Sequence, residues 1–155
     1  MLVNGSAHTS LWYDDNKHCV FIIDQTQLPH QFTTLALTEL EDFCHAITAM
    51  QVRGAPLIGV TAAFGFALAI RHNSSAEHQR QVAKKLLATR PTAVNLRWAI
   101  ERMQKRLNNS HAEQCASQAL AEAQSIRQQD IATCAAIGQH GLKLIQQVQQ
   151  QCQSK

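Results

Sequence analysis

The chain has 155 residues, of which 45% are hydrophobic and 16% charged, with 14 Lys and Arg against 11 Asp and Glu for a formal charge of +3. That length suits one domain, able to bury about 68–70% of its extended-chain surface without disulfides or metal, and the composition excludes a disordered chain. The charge excess is too small for the Lys/Arg stripe of a duplex-binding protein, so a nucleic-acid partner is not expected, although a basic patch still attracts a small anion.

The first ten residues, MLVNGSAHTS, have no basic and then apolar run, and therefore do not read as a secretory signal. Ser10–Asp14 and His18–Ile23 carry aromatic and β-branched residues around Asp14-Asp15-Asn16-Lys17, a hairpin pattern. Phe32–Leu37 adds a third strand. From Thr38 the period changes: Thr38-Glu39-Leu40-Glu41 fits a capping box, and Leu40, Phe43, Cys44, Ile47 and Met50 follow at helical spacing. Pro56–Ile70 is apolar on nearly all sides yet short of the ~20 residues a membrane span needs, which marks a central buried helix and no membrane partner.

Ala76–Ala88 and Thr92–Leu107 are the next helices, the second with Leu96, Ile100, Met103 and Leu107 on one side and Arg97, Arg102, Lys105 and Arg106 mostly on the other. An alanine-rich helix then runs from Ala112 to about Ile137 with Cys115, Ala119, Ala123 and Ile126 inward. Gly138 and Gly141 are expected to interrupt it, and Leu142–Val148 to resume it. The glutamine-biased end reads as a disordered tail. The expected organisation is α+β: a small antiparallel sheet over 1–37, a helical bundle over 38–145 and a polar tail over 146–155.

Five cysteines, odd in number and without C-x-x-C spacing, argue against a disulfide framework or a zinc ribbon. They read as free thiols in a reducing cytoplasm, with Cys44 and Cys115 buried. Cys44-His45, His72, His78 and His140 form no metal-ligand pattern. No metal site or Ser/His/Asp set is expected, and Asp24 at a strand end reads as a turn or cap residue.

Chemistry points to two junctions. Val52-Arg53-Gly54-Ala55-Pro56 leads into the buried helix, with Pro56 in the first turn, where its missing N–H costs nothing. The first-turn amides lack intrahelical partners and carry the positive end of the helix dipole. Gly54 permits close approach of a ligand, and Arg53 offers a planar donor fork suited to phosphate. Thr89-Arg90-Pro91-Thr92-Ala93-Val94-Asn95 repeats the idea, since Pro91 holds Arg90 extended before the next helix. If the fold joins the two, Arg53 and Arg90 share one pocket for a phosphorylated ligand. On spacing alone the same strings also read as a tight turn and an ordinary cap.

Asp24-Gln25-Thr26-Gln27-Leu28-Pro29, Met50-Gln51-Val52-Arg53-Gly54-Ala55-Pro56-Leu57-Ile58-Gly59, Ala62-Ala63-Phe64-Gly65, Thr89-Arg90-Pro91-Thr92-Ala93-Val94-Asn95-Leu96 and Ile137-Gly138-Gln139-His140-Gly141 occur in this order. From about residue 10 to 145 the chain resembles the amino-terminal half of the methylthioribose-1-phosphate isomerases, whose wider family includes initiation-factor regulatory subunits and ribose-bisphosphate isomerases. The Arg-Gly-Ala-Pro and Thr-Arg-Pro-Thr-Ala-Val-Asn-Leu strings are specific for the isomerase. The resemblance implies that Arg53, Gly54, Ala55 and Arg90 contact the sugar phosphate, and that the reaction converts 5-methylthioribose 1-phosphate to its ribulose isomer in methionine salvage, without a cofactor.

Two departures stand out: Cys134 where relatives often have Asn, beside Asp130 in a mostly apolar stripe, and Phe64 where they usually have Tyr. The family continues into a Rossmann-like half with a catalytic Cys and Asp. Cys152, in a polar glutamine run, does not fit that Cys. The resemblance therefore implies no catalytic residue among these 155 and no turnover by them alone. The partners expected are the sugar phosphate and a separate C-terminal half or self-association. The rival expectations are a non-catalytic regulatory or adaptor module like the initiation-factor subunits and a structural remnant that binds no ligand.

Overall fold

The computed structural model describes residues 2–3, 5–108 and 110–153. Two short strands, β1 (Leu2–Val3) and β2 (Ser6–Ala7), pair antiparallel on either side of Gly5, whose φ of 81° is the left-handed geometry that glycine adopts without strain. This hairpin escapes the sequence reading because two-residue strands show no period. Next come β3 (Leu11–Asp14), β4 (Cys19–Ile23) and β5 (Thr34–Leu37), an antiparallel sheet in that order, close to the expected bounds. The hairpin turn forms because the Asp14 carboxylate accepts from the amides of Asn16 and Lys17 at 3.0 and 3.1 Å. Register pairs Leu11 with Ile22 and Val20 with Leu37, so one face of the sheet carries buried apolar side chains. The other stacks Trp12 on Phe21.

Five helices follow: α1 (Leu40–Thr48), α2 (Ala55–Ala69), α3 (Ala76–Thr89), α4 (Val94–Leu107) and α5 (Ala112–Gln153). The box that opens α1 lies one residue later than expected. Glu39 is the N-cap, and the Asp42 carboxylate accepts from the backbone amides of Thr38 and Glu39, both at 2.9 Å. Glu41 instead pairs with Lys85 of α3 at 2.7 Å.

Helix α2 is buried from Ile58 through Ala67 without a polar face, as its all-round hydrophobicity requires. It contacts α1, α3, α4 and α5. Tyr13 stacks on Phe64 with ring centroids 5.9 Å apart, tying the sheet to α2, and the one buried hydroxyl on this helix, Thr61, donates to the Leu57 carbonyl at 2.8 Å. Two glycines set its approach to neighbours. A Cβ on Gly65 would lie 2.8 Å from Phe43, and one on Gly59 would lie 2.9 Å from the Asn95 carbonyl oxygen.

Leu96, Ile100, Met103 and Leu107 are buried on α4, and Cys115, Ala119, Ala123 and Ile126 on α5. Arg102 does not point away from the bundle but donates to Glu122 of α5 at 2.6 Å. Gly138 and Gly141 do not interrupt α5, and the expected disordered tail is helical through Gln153, while residues 154–155 lie outside the described ones. Two glycines cost the helix only about 2 kcal/mol together, which the surrounding Ala, Gln, Leu and Ile offset. Beyond Ile126 the helix extends about 40 Å at 1.5 Å per residue, with Ile137, Leu142, Leu144, Ile145 and Val148 exposed. Cys19 and Cys115 are buried free thiols, whereas Cys44, expected inside, is half-buried, and Cys134 and Cys152 are exposed. His78, whose ring nitrogen Nε2 lies 3.1 Å from the Ala69 carbonyl oxygen, closes the end of α2.

Candidate functional site

The chain reverses into α2 through Met50 and Gly54, with φ of 58° and 91°. Nothing lies within 4 Å of a Cβ placed on Gly54, so its backbone angle and not crowding requires glycine. Arg53 Nε donates to the Met50 carbonyl at 3.2 Å. That bond anchors the guanidinium of the exposed Arg53 by its inner nitrogen. Among the described residues no carboxylate lies within 4 Å of Arg53.

The helix starts divide into two kinds. α1 opens with a capping box and two first-turn acids, Glu41 and Asp42, and α3 with the Ser75 hydroxyl accepting from His78 N and with Glu77 behind it. α2 and α4 have neither a side-chain cap nor a first-turn acid. These are the two helices preceded by Arg53 and Arg90. Among the described residues no side chain caps these two first turns, so their N–H groups carry positive potential, a state that costs stability unless water or an anion satisfies them.

Arg53 and Gly54 line a hollow of about 390 Å³ together with Pro56, Leu57 and Val60 of α2, His8 to Leu11 before and in β3, Gln25, and Arg127, Asp130, Ile131 and Cys134 of α5. Arg127 ties α5 to the start of β3, donating from Nε to the Leu11 carbonyl at 3.0 Å and from Nη2 to the Thr9 hydroxyl at 3.5 Å. Gln25 is held by its own amide donating to the Gln51 carbonyl at 2.9 Å. Its neighbour Asp24 is buried and accepts from the amide and hydroxyl of Thr26 at 3.0 and 2.6 Å, the turn role expected of it. Asp130 is half-buried, and the Cys134 thiol donates to its Oδ1 at 3.9 Å.

Of the four residues expected to bind substrate, Arg53 and Gly54 line this hollow and Ala55 lies between lining residues. Arg90 does not line it. It is the half-buried C-cap of α3, with φ −148° and ψ 83°, and its carbonyl accepts from Ala93 N at 3.0 Å. Near this junction, Gly59 of α2 packs on Asn95 in the first turn of α4. Gln25 and Arg127 were not singled out in the sequence. The Asp24-Gln25-Thr26 string carried a signal for the first; Arg127 had none, since its partners lie more than 100 residues away.

Sheet and helical bundle place the chain in the α+β class. It belongs to the initiation factor 2 subunit family, whose model matches residues 51–153. It is 46% identical over 148 residues to a methylthioribose-1-phosphate isomerase of Methylocella silvestris, covering 96% of this chain and 40% of that protein. Among solved structures it resembles the translation initiation factor eIF-2B subunit delta from A. fulgidus (TM-score 0.71, 36% identity, 79% of this chain and 37% of that one). It also resembles the 5-methylthioribose 1-phosphate isomerase from Pyrococcus horikoshii (TM-score 0.69, 31% identity, 76% and 35%). The chain spans about 40% of the length of the curated isomerases it matches. No helix among the described residues is long and apolar enough to cross a membrane.

Proposed function

We propose that this chain is the substrate-phosphate-binding, amino-terminal part of a methylthioribose-1-phosphate isomerase of methionine salvage, working in the cytoplasm. The observation that carries the reading is the pairing of an uncapped helix start with an anchored, unneutralised arginine on one hollow. In this reading Arg53 and the α2 amides at Gly54 and Ala55 hold the phosphate. Arg90, in the turn between α3 and α4, joins when the ligand is bound. Leu11, Leu57, Val60 and Ile131 suit an apolar substituent such as a methylthio group. Proton transfer between C1 and C2 needs a positioned acid and base, supplied by a C-terminal half or partner chain. The exposed apolar residues of outer α5 support such a partner, or self-association.

The test is an amide chemical-shift titration of the chain with 5-methylthioribose 1-phosphate and with inorganic phosphate, beside a coupled isomerase assay. Millimolar binding, about −4 kcal/mol, is expected around Gly54 to Leu57, lost in Arg53→Ala and Arg90→Ala, with no turnover. Absence of any shift at these amides overturns the reading, and turnover by the chain alone overturns the division of labour.

The likeness to the eIF-2B subunit favours a second reading, a non-catalytic adaptor. It predicts no response to either phosphate compound.

A further inference from the structure

The same hollow contains a carboxylate that the phosphate reading does not use. Asp130 and Arg53 line one cavity, yet no ion pair joins them within 4 Å. Arg127, one turn before Asp130 on α5, is committed to Leu11 and Thr9. The bond that Asp130 accepts is from the Cys134 thiol at 3.9 Å, a weak donor. A half-buried carboxylate with about four lone-pair sites is thus left facing the cavity with a single weak partner. It is carried on α5, which packs on α2. The hollow is polarised: it is lined by the cation of Arg53 and the anion of Asp130, with Gln25 and apolar residues beside them.

We propose that Asp130 is the specificity-determining residue of this hollow. Its carboxylate accepts hydrogen bonds from ligand hydroxyls while Arg53 holds the single anionic group. This inference rests on the reading of the hollow as a sugar-phosphate site and adds the residue that discriminates within that class, with uncharged ligand hydroxyls toward α5. A hydroxyl meeting a carboxylate forms a charge-assisted bond. A second phosphate meeting it is repelled, and inorganic phosphate gains nothing from it.

The test titrates the full chain with inorganic phosphate, ribose 1-phosphate and ribose 1,5-bisphosphate, in wild type, Asp130→Ala and Asp130→Asn. Asp130→Ala should weaken ribose 1-phosphate about tenfold or more, while inorganic phosphate binds unchanged or slightly tighter because a negative charge is gone. Asp130→Asn keeps an acceptor without the charge, so ribose 1-phosphate should weaken only a few-fold and the bisphosphate should gain several-fold. Parallel losses for phosphate and sugar phosphate, or no loss of sugar phosphate in Asp130→Ala, would overturn the role of Asp130 and leave the phosphate site standing. Failure of all three compounds to bind the wild type would overturn the site itself.

Discussion

Replacing Gly59 by alanine tests the contact between α2 and the start of α4. The added methyl would lie 2.9 Å from the Asn95 carbonyl oxygen and 3.4 Å from its carbon, with the Ala99 methyl at 3.6 Å. The nearest atoms are backbone, so no side chain can swing aside and α4 itself must move. Overpacking of this kind costs ~1–3 kcal/mol, and a backbone neighbour puts it at the upper end. Against this, alanine gains about 1 kcal/mol in helix propensity over glycine. The net loss is about 2 kcal/mol. With a urea m-value of roughly 2 kcal/mol/M for a domain of this size, the midpoint should fall by about 1 M. Gly138→Ala is the control, because nothing lies within 4 Å of its Cβ. There the propensity gain stands alone, and the helical signal should rise slightly. Urea unfolding followed by circular dichroism decides the matter. A Gly59→Ala midpoint equal to or above wild type would show that α2 and α4 are not in the close contact described.

Asp42 should contribute to stability in a pH-dependent way. Burial pushes its carboxyl up, but the amides of Glu39 and Thr38 outweigh this and hold it below the usual carboxylate value. Because the folded value is the lower one, the contribution is complete above about pH 4 and is lost as pH falls through the folded value. Asp42→Ala should therefore cost about 1 kcal/mol at pH 7, with the difference shrinking in unfolding curves taken below about pH 3; a constant difference would contradict the box. Glu122→Gln should cost about 1–2 kcal/mol, because Arg102 and Arg106 both reach this poorly exposed carboxylate, at 2.6 and 3.8 Å; a neutral result in thermal unfolding would contradict it. Thiol labelling followed by mass spectrometry should find Cys134 and Cys152 modified first, Cys44 slowly because burial pushes its thiol up, and Cys19 and Cys115 only on unfolding. Early modification of Cys115 would contradict the packing of α5.

Elements with a sustained period were readable from the residues alone. Cys115, Ala119, Ala123 and Ile126 fall inward at steps of four, four and three, and all are buried. Local competition was not readable. Glu41 and Asp42 both offer a carboxylate to the first turn of α1, and the choice falls on Asp42 because Glu41 is drawn across to Lys85, a tertiary partner that the local string does not reveal. Arg53 and Gly54 stood out because Gly-Ala-Pro before an apolar run has a local physical meaning. Arg90 stood out for the same reason, yet it is the C-cap of α3 and does not line the hollow that Arg53 lines. Asp130 was visible as a charge in an apolar stripe, but its destination depends on how α5 lies across α2.

Helix α5 crosses a boundary between two regimes of protection. Its first four turns are covered by the bundle, so their amides should exchange hydrogen only when the whole fold opens, whereas the turns beyond Ile131 are held by the helix alone and open locally. Asp130, Ile131 and Cys134 sit at that boundary, and one wall of the hollow is therefore built from the turn where protection begins to fail. A molecule gripping Ile137 to Val148 would firm that turn, and a ligand bridging Arg53 and Asp130 would do the same from the other side. The two binding events would then strengthen each other by equal amounts, even with no contact between them and no change in mean structure.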